Sequence, residues 1–145
     1  MRNVFVLLLL IGPSGPLPET RSPADPPSYS EQQILDALRV VESGGRDDCP
    51  DGDRGLSIGP FQICKLYWTD ALSFDRSLGG KYQDCRDRNY AEKVVRAYMQ
   101  RYVGEAWKKL DAETIARTHN GGPRGARKAS TLVYWEKVKK LLAEF

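Results

Sequence analysis

The stretch Ile34-Leu35-Asp36-Ala37-Leu38-Arg39-Val40-Val41-Glu42-Ser43-Gly44-Gly45 decides how this chain folds. Ile34, Leu38 and Val41 recur at spacings of four and three, which is one face of an amphipathic helix. Just upstream, Ser30-Glu31-Gln32-Gln33 has the form of a capping box. The Ser oxygen meets a free amide and Gln33 reaches back. Gly44-Gly45 supplies the stop. Glu42 follows Leu38 by four residues, so its carboxyl borders the buried stripe at the very end of the helix.

Working outward, residues 46–54 are a loop rich in Asp and Gly. Gly55-Leu56-Ser57-Ile58-Gly59-Pro60-Phe61-Gln62-Ile63 alternates apolar residues with turn formers, as a short twisted hairpin does. Tyr67-Trp68 to Leu72 predicts a short helix, and residues 73–88 read as mostly polar connection. From Asn89, the residues Ala91, Val94, Val95, Tyr98, Met99 and Tyr102 mark the central core helix. Asp111 caps another, with Ile115 and Ala116 inside and His119 near its end. Asn120-Gly121-Gly122-Pro123 breaks that helix sharply. A last helix from about Thr131 is expected to turn Leu132, Trp135, Val138 and Leu142 inward. The fold class is therefore α+β, mainly α: a helical domain with one small β element.

The chain has 145 residues, 41% hydrophobic and 28% charged, enough for one domain with a core and too apolar for a disordered segment. Residues 1–80 hold seven Lys/Arg against eleven Asp/Glu, while residues 81–145 hold fifteen against eight. A basic second half suits an anionic polymer such as bacterial wall material or nucleic acid, and equally a plain solvated surface. Arg2 followed by the apolar run Val4–Ile11 reads as a secretory signal over residues 1–15, too short to span a membrane. Residues 12–29 carry six of the nine prolines, so residues 16–29 read as an extended leader into a domain at 30–145. Secretion permits a disulfide, and the odd count of Cys49, Cys64 and Cys85 leaves one thiol over. Three spaced cysteines and a single His make a poor zinc site, so no metal or other cofactor is expected.

Four groupings carry chemistry. A carboxyl at a helix end near aliphatic groups can have its pKa raised, and can then donate a proton at neutral pH. That makes Glu42 a candidate general acid for glycoside cleavage, which also needs a second, ionised carboxylate. The Asp/Gly loop supplies one: Asp53 abuts the hairpin, with Asp51 in reserve. The competing reading is a buried structural acid and a loop that binds nothing. In the hairpin, Ser57 and Gln62 could hydrogen-bond sugar hydroxyls and amides, or merely hold a turn. His119, Asn120 and Gly121 could form a cleft wall, although a lone His is more often structural. Tyr98 could stack on a sugar ring while also filling the core, the role expected of Tyr102 and Trp135.

Taken in order, Val41-Glu42-Ser43-Gly44, Ser57-x-Gly59-x-Phe61-Gln62-Ile63, Tyr67-Trp68-x-Asp70, Tyr98-Met99-x-Arg101-Tyr102, His119-Asn120-Gly121-Gly122-Pro123-Arg124-Gly125 and Tyr134-Trp135-x-Lys137-Val138 resemble the invertebrate-type lysozymes, the family that includes destabilase. The resemblance runs over about residues 32 to 140. It implies a lysozyme-like helical domain whose β-hairpin forms one side of a cleft. It implies a secreted, monomeric enzyme that hydrolyses the β-1,4 bond between N-acetylmuramic acid and N-acetylglucosamine. Its partner would be peptidoglycan or a chitooligosaccharide-like glycan, with no nucleic acid and no membrane after signal removal. It makes Glu42 the proton donor and Asp53 the second carboxylate, in a segment Gly52-Asp53-Arg54-Gly55-Leu56-Ser57 that is one residue shorter than the family's pattern. A lytic transglycosylase and a non-catalytic wall-binding module are the alternatives. Cys64 stands where the family usually has Lys. Of the groups credited with isopeptidase activity His119 is clearly retained, so that activity is expected to be weak or absent.

Overall fold

The capping box at Ser30 opens the first helix of the computed structural model, which describes residues 28–145. The backbone N–H of Gln33 donates to Ser30 Oγ (3.2 Å) and that of Ser30 to Gln33 Oε1 (2.8 Å). The helix they start, α1 (Glu31–Ser43), ends at Gly44 in the left-handed region, φ 65°. Beyond it a two-stranded antiparallel hairpin pairs β1 (Ser57–Ile58) with β2 (Ile63–Cys64) in the register Ser57↔Cys64 and Ile58↔Ile63. Four further helices follow: α2 (Lys65–Phe74), α3 (Arg88–Lys108), α4 (Ala112–Gly121) and α5 (Leu132–Leu142). The predicted signal at 1–15 and residues 16–27 of the predicted leader lie outside the described residues.

The central helix is α3, as its periodicity predicts. Ala91, Val94, Val95, Tyr98 and Met99 are buried along one face, and α3 packs on both α2 and α4. α5 closes the other side against α1 and α4. An ion-pair ladder aligns α1 with α3. Arg96 reaches Glu31 (2.6 Å), Arg88 reaches Asp36 (2.8 Å), and the buried Glu92 sits between the two arginines. A buried carboxylate is tolerated because both its neighbours are hydrogen-bonding cations.

Two expectations need correction. The inward face of α5 is Tyr134, Val138 and Leu142, while Leu132 is 44% exposed and Trp135 only partly buried. The cause lies one residue before the helix. Thr131 is buried, with its hydroxyl at hydrogen-bond distance from the carbonyls of Gly125 and Lys128 (2.8 Å each). That anchor rotates the stripe to positions 131, 134, 138 and 142. The 73–88 segment is more ordered than its polar composition suggests. It contains 3-10 turns at Arg76–Leu78 and Tyr82–Arg86, and it buries Cys85 completely.

That segment clasps the hairpin. The Tyr82 hydroxyl lies 2.8 Å from the Ile63 carbonyl and 3.1 Å from that of Leu56. Opposite it, Gly59 has φ +73° and packs so closely on the Cys85 backbone that a Cβ would collide with the Cys85 carbonyl. Gly59→Ala should therefore cost at least about 2 kcal/mol, from the left-handed backbone plus the clash. Urea denaturation measures it; an unchanged midpoint would contradict this packing.

Candidate active site

Glu42 occupies the last turn of α1, with its side chain 19% exposed. Its Oε1 accepts a hydrogen bond from the Tyr134 hydroxyl of α5 (2.8 Å) and lies 3.5 Å from His119 Nε2 of α4. The His119 side chain is 3% exposed. Its Nε2 is also 3.1 Å from the Phe61 carbonyl in the hairpin turn. A carbonyl only accepts, so Nε2 carries the hydrogen. Nδ1 is then a lone pair, and the Tyr67 hydroxyl donates to it (3.1 Å). Burial pushes His119 below the usual histidine range, against the opposing pull of Glu42 and the Phe61 carbonyl. The ring is neutral at neutral pH. Burial, reinforced by the charge of Glu42, pushes the Tyr134 phenol well above the usual tyrosine range, so it stays a donor.

The aspartates of the acidic loop differ in their neighbours. Among the described residues, Asp47, Asp48 and Asp51 each pair with an arginine: Arg39 (3.5 Å), Arg46 (4.0 Å) and Arg86. The bidentate Arg86 contact holds the Asp51 carboxyl below the ordinary range. Asp53 instead accepts from the Ser57 hydroxyl (2.8 Å) of β1. It is exposed and stands in a turn where both Asp53 and Arg54 take positive φ, 49° and 59°. The reserve candidate Asp51 is thus tied into an ion pair, while Asp53 is fixed to the hairpin and open to solvent.

The residues predicted to line a cleft are placed as follows. Ser57 is buried and its hydroxyl is committed to Asp53, so it positions that carboxylate rather than meeting a sugar directly. Gln62 turns its amide inward to the carbonyls of Gly59 (3.0 Å) and Pro50 (3.2 Å), stapling the acidic loop to the hairpin. Tyr98 is buried and stacks on Tyr67 with centroids 3.5 Å apart. Gly121 packs against Thr131, and its carbonyl accepts from Lys128 Nζ (2.6 Å). Asn120 is exposed beside it. His119 is buried at the junction already described. All three cysteines are free in the structure: Cys49 half-buried, Cys64 exposed, and Cys85 buried with its thiol pushed up to about 12. Sequence reasoning missed the parts of Tyr67 and Tyr134. Both stood in quoted motifs, but an aromatic at helical spacing reads as core until its hydroxyl has a partner.

Comparison with known proteins gives the chain a family and a fold. The destabilase family model matches residues 31–141. The chain belongs to the destabilase family of invertebrate-type lysozymes. A relative named lysozyme from Ostrea edulis is 45% identical over 92 residues, which cover 63% of this chain and 64% of that protein, just under two thirds of its length. Among solved structures, Tapes japonica lysozyme superposes with a TM-score of 0.64 at 37% identity, covering 76% of this chain and 89% of that one. Meretrix lusoria lysozyme, solved in complex with PliI of Aeromonas hydrophila, gives 0.64 at 38% identity, covering 76% and 88%. In this destabilase-family chain the expected mainly helical fold with a small hairpin is the observed one.

The buried neutral His119 has a consequence for stability. Its folded-state affinity for a proton is depressed, so the unfolded chain takes up the proton first. The stabilisation is complete above the ordinary value of about 6.5 and is lost as pH falls below it. Wild type should lose stability relative to His119→Gln between neutral and mildly acidic pH, measured by denaturant unfolding. Parallel pH profiles would mean that the ring is not held neutral.

Proposed function

We propose that this chain is a secreted lysozyme that hydrolyses the β-1,4 bond between N-acetylmuramic acid and N-acetylglucosamine in peptidoglycan, as a monomer. One observation supports the assignment most. Two carboxylates are held in contrasting settings: Glu42 half-sheltered against phenol and imidazole, and Asp53 solvated and fixed by Ser57. Glycosidases need that contrast, one acid to give a proton and one carboxylate to remain charged.

In the proposed reaction Glu42 transfers its proton to the glycosidic oxygen as the C1–O bond breaks, and the bonding pair leaves with that oxygen. Asp53 attacks C1 from the opposite face and forms a glycosyl–enzyme ester. Glu42, now a carboxylate, takes a proton from water. The resulting hydroxide displaces Asp53 from C1, so the anomeric configuration is retained. The chemistry calls for neither metal nor cofactor. Among the described residues no helix is long and apolar enough to cross a membrane. The exposed basic residues Arg124, Arg127 and Lys128, which follow the His119–Pro123 segment, suit the anionic wall.

Glu42→Gln keeps the size and polarity of the side chain but has no proton to give. It should fold with a near-native melting curve and lose at least about a hundredfold in wall lysis, the lower end of what a positioned acid contributes. Lysis of purified peptidoglycan, followed by turbidity and product analysis, tests this. Wild type should release reducing ends with retained configuration. A 1,6-anhydro product would show a lytic transglycosylase instead. Binding without any product would show a recognition module.

A further inference from the structure

Both protein contacts to the Glu42 carboxyl described above fall on the same oxygen, Oε1. The Tyr134 hydroxyl donates to it at 2.8 Å and the His119 Nε2–H lies 3.5 Å from it. The nitrogen in the second contact is the protonated one. Nε2 must carry hydrogen because the same atom faces the Phe61 carbonyl at 3.1 Å. A proton placed on Oε1 would point at that N–H and would displace the phenol from its acceptor. A neutral carboxyl has one hydroxyl oxygen and one carbonyl oxygen, and the oxygen that accepts from the phenol and faces the protonated imidazole nitrogen takes the carbonyl role.

We propose that Tyr134 is a positioning residue for the acid: with His119 it makes Oε1 the carbonyl oxygen of Glu42 and confines the transferable proton to Oε2. The proposal rests on Glu42 being the general acid. It has a second consequence, because a phenol donating to Oε1 favours the carboxylate more than the neutral acid, since a charged acceptor makes the stronger bond. The bond from Tyr134 therefore strengthens as the proton leaves. Among the described residues, Tyr67 from α2, His119 from α4 and Tyr134 from α5 are titratable groups that feel the charge of Glu42. The first and last remain neutral phenols because burial pushes both well above the usual range, and burial keeps His119 neutral. Tyr134 is the one of the three that hydrogen-bonds the carboxyl, and its removal leaves the local charge unchanged.

The test is the pH dependence of kcat/KM for wild type, Tyr134→Phe and Glu42→Gln on soluble peptidoglycan fragments. Tyr134→Phe should move the alkaline limb upward by about one pH unit, the size a charge-assisted hydrogen bond carries, while the enzyme keeps turning over. A limb that stays in place, or moves down because the carboxyl had been donating to the phenol, overturns the proposal. A merely structural Tyr134 would lower activity at every pH and leave the limb where it is. Should Tyr134→Phe fail to fold, Tyr134→3-fluorotyrosine keeps the volume and strengthens the donor. The limb must then move down, and an unmoved limb again overturns the proposal. Glu42→Gln separates the two levels. If it retains turnover, the acid assignment falls and this proposal with it. If it is inactive while the Tyr134 variants leave the limb unmoved, only this proposal falls.

Discussion

The candidate site depends on one buried imidazole. His119 has no solvent to satisfy it, so both ring nitrogens must find partners in the protein. The Phe61 carbonyl of the hairpin turn takes its N–H, and the Tyr67 hydroxyl of α2 fills its lone pair. Glu42 of α1 lies beside the same N–H. Three elements far upstream of α4 are thereby referred to a single ring on it. A shift of the hairpin would break the bond at Nε2, and a shift of α2 would break the one at Nδ1.

The rest of the fold presents those elements to the ring. The ladder of Glu31, Asp36, Arg88, Glu92 and Arg96 sets α1 along α3, and Gly44 ends the helix just past Glu42. Tyr82 and the close approach of Gly59 to Cys85 hold the hairpin from its other side. Gln62 then carries that rigidity into the acidic loop, and Ser57 passes it to Asp53. A loop rich in like charges would otherwise be mobile. Here arginines neutralise three of its aspartates, and the fourth is left to a hydroxyl.

Much of this was legible in the residues, for stated reasons. α1, α3 and α4 carry caps and long apolar periods, so their existence and faces followed from local rules. The hairpin followed from turn formers. The face of α5 did not, because Thr131 sets it through bonds to a preceding turn that carries no helical period. At the site, Glu42 stood out because a carboxylate beside a buried stripe is locally anomalous. Asp53 could be chosen over Asp51 only on its closeness to the hairpin. What sets the two apart in the structure is the pairing of Asp51 with Arg86, thirty-odd residues downstream, and no spacing rule announces it. The same limit hid Tyr67 and Tyr134: an aromatic on an inward face reads as packing, and a hydroxyl's partner is a tertiary fact. Ser57 was noticed for its polarity but assigned to sugar, since burial of a short polar side chain cannot be read from a two-residue strand.

The central claim is that His119 is a neutral ring with its hydrogen on Nε2, binding the hairpin and facing the acid. The chain contains a single histidine, so its side-chain resonances are unambiguous. Nitrogen-15 NMR of the imidazole at neutral pH measures the tautomer directly. One protonated nitrogen, Nε2, and one lone-pair nitrogen, Nδ1, are predicted, with the midpoint of conversion to imidazolium below pH 6.5. A proton on Nδ1 instead, or an imidazolium at neutral pH, would contradict it.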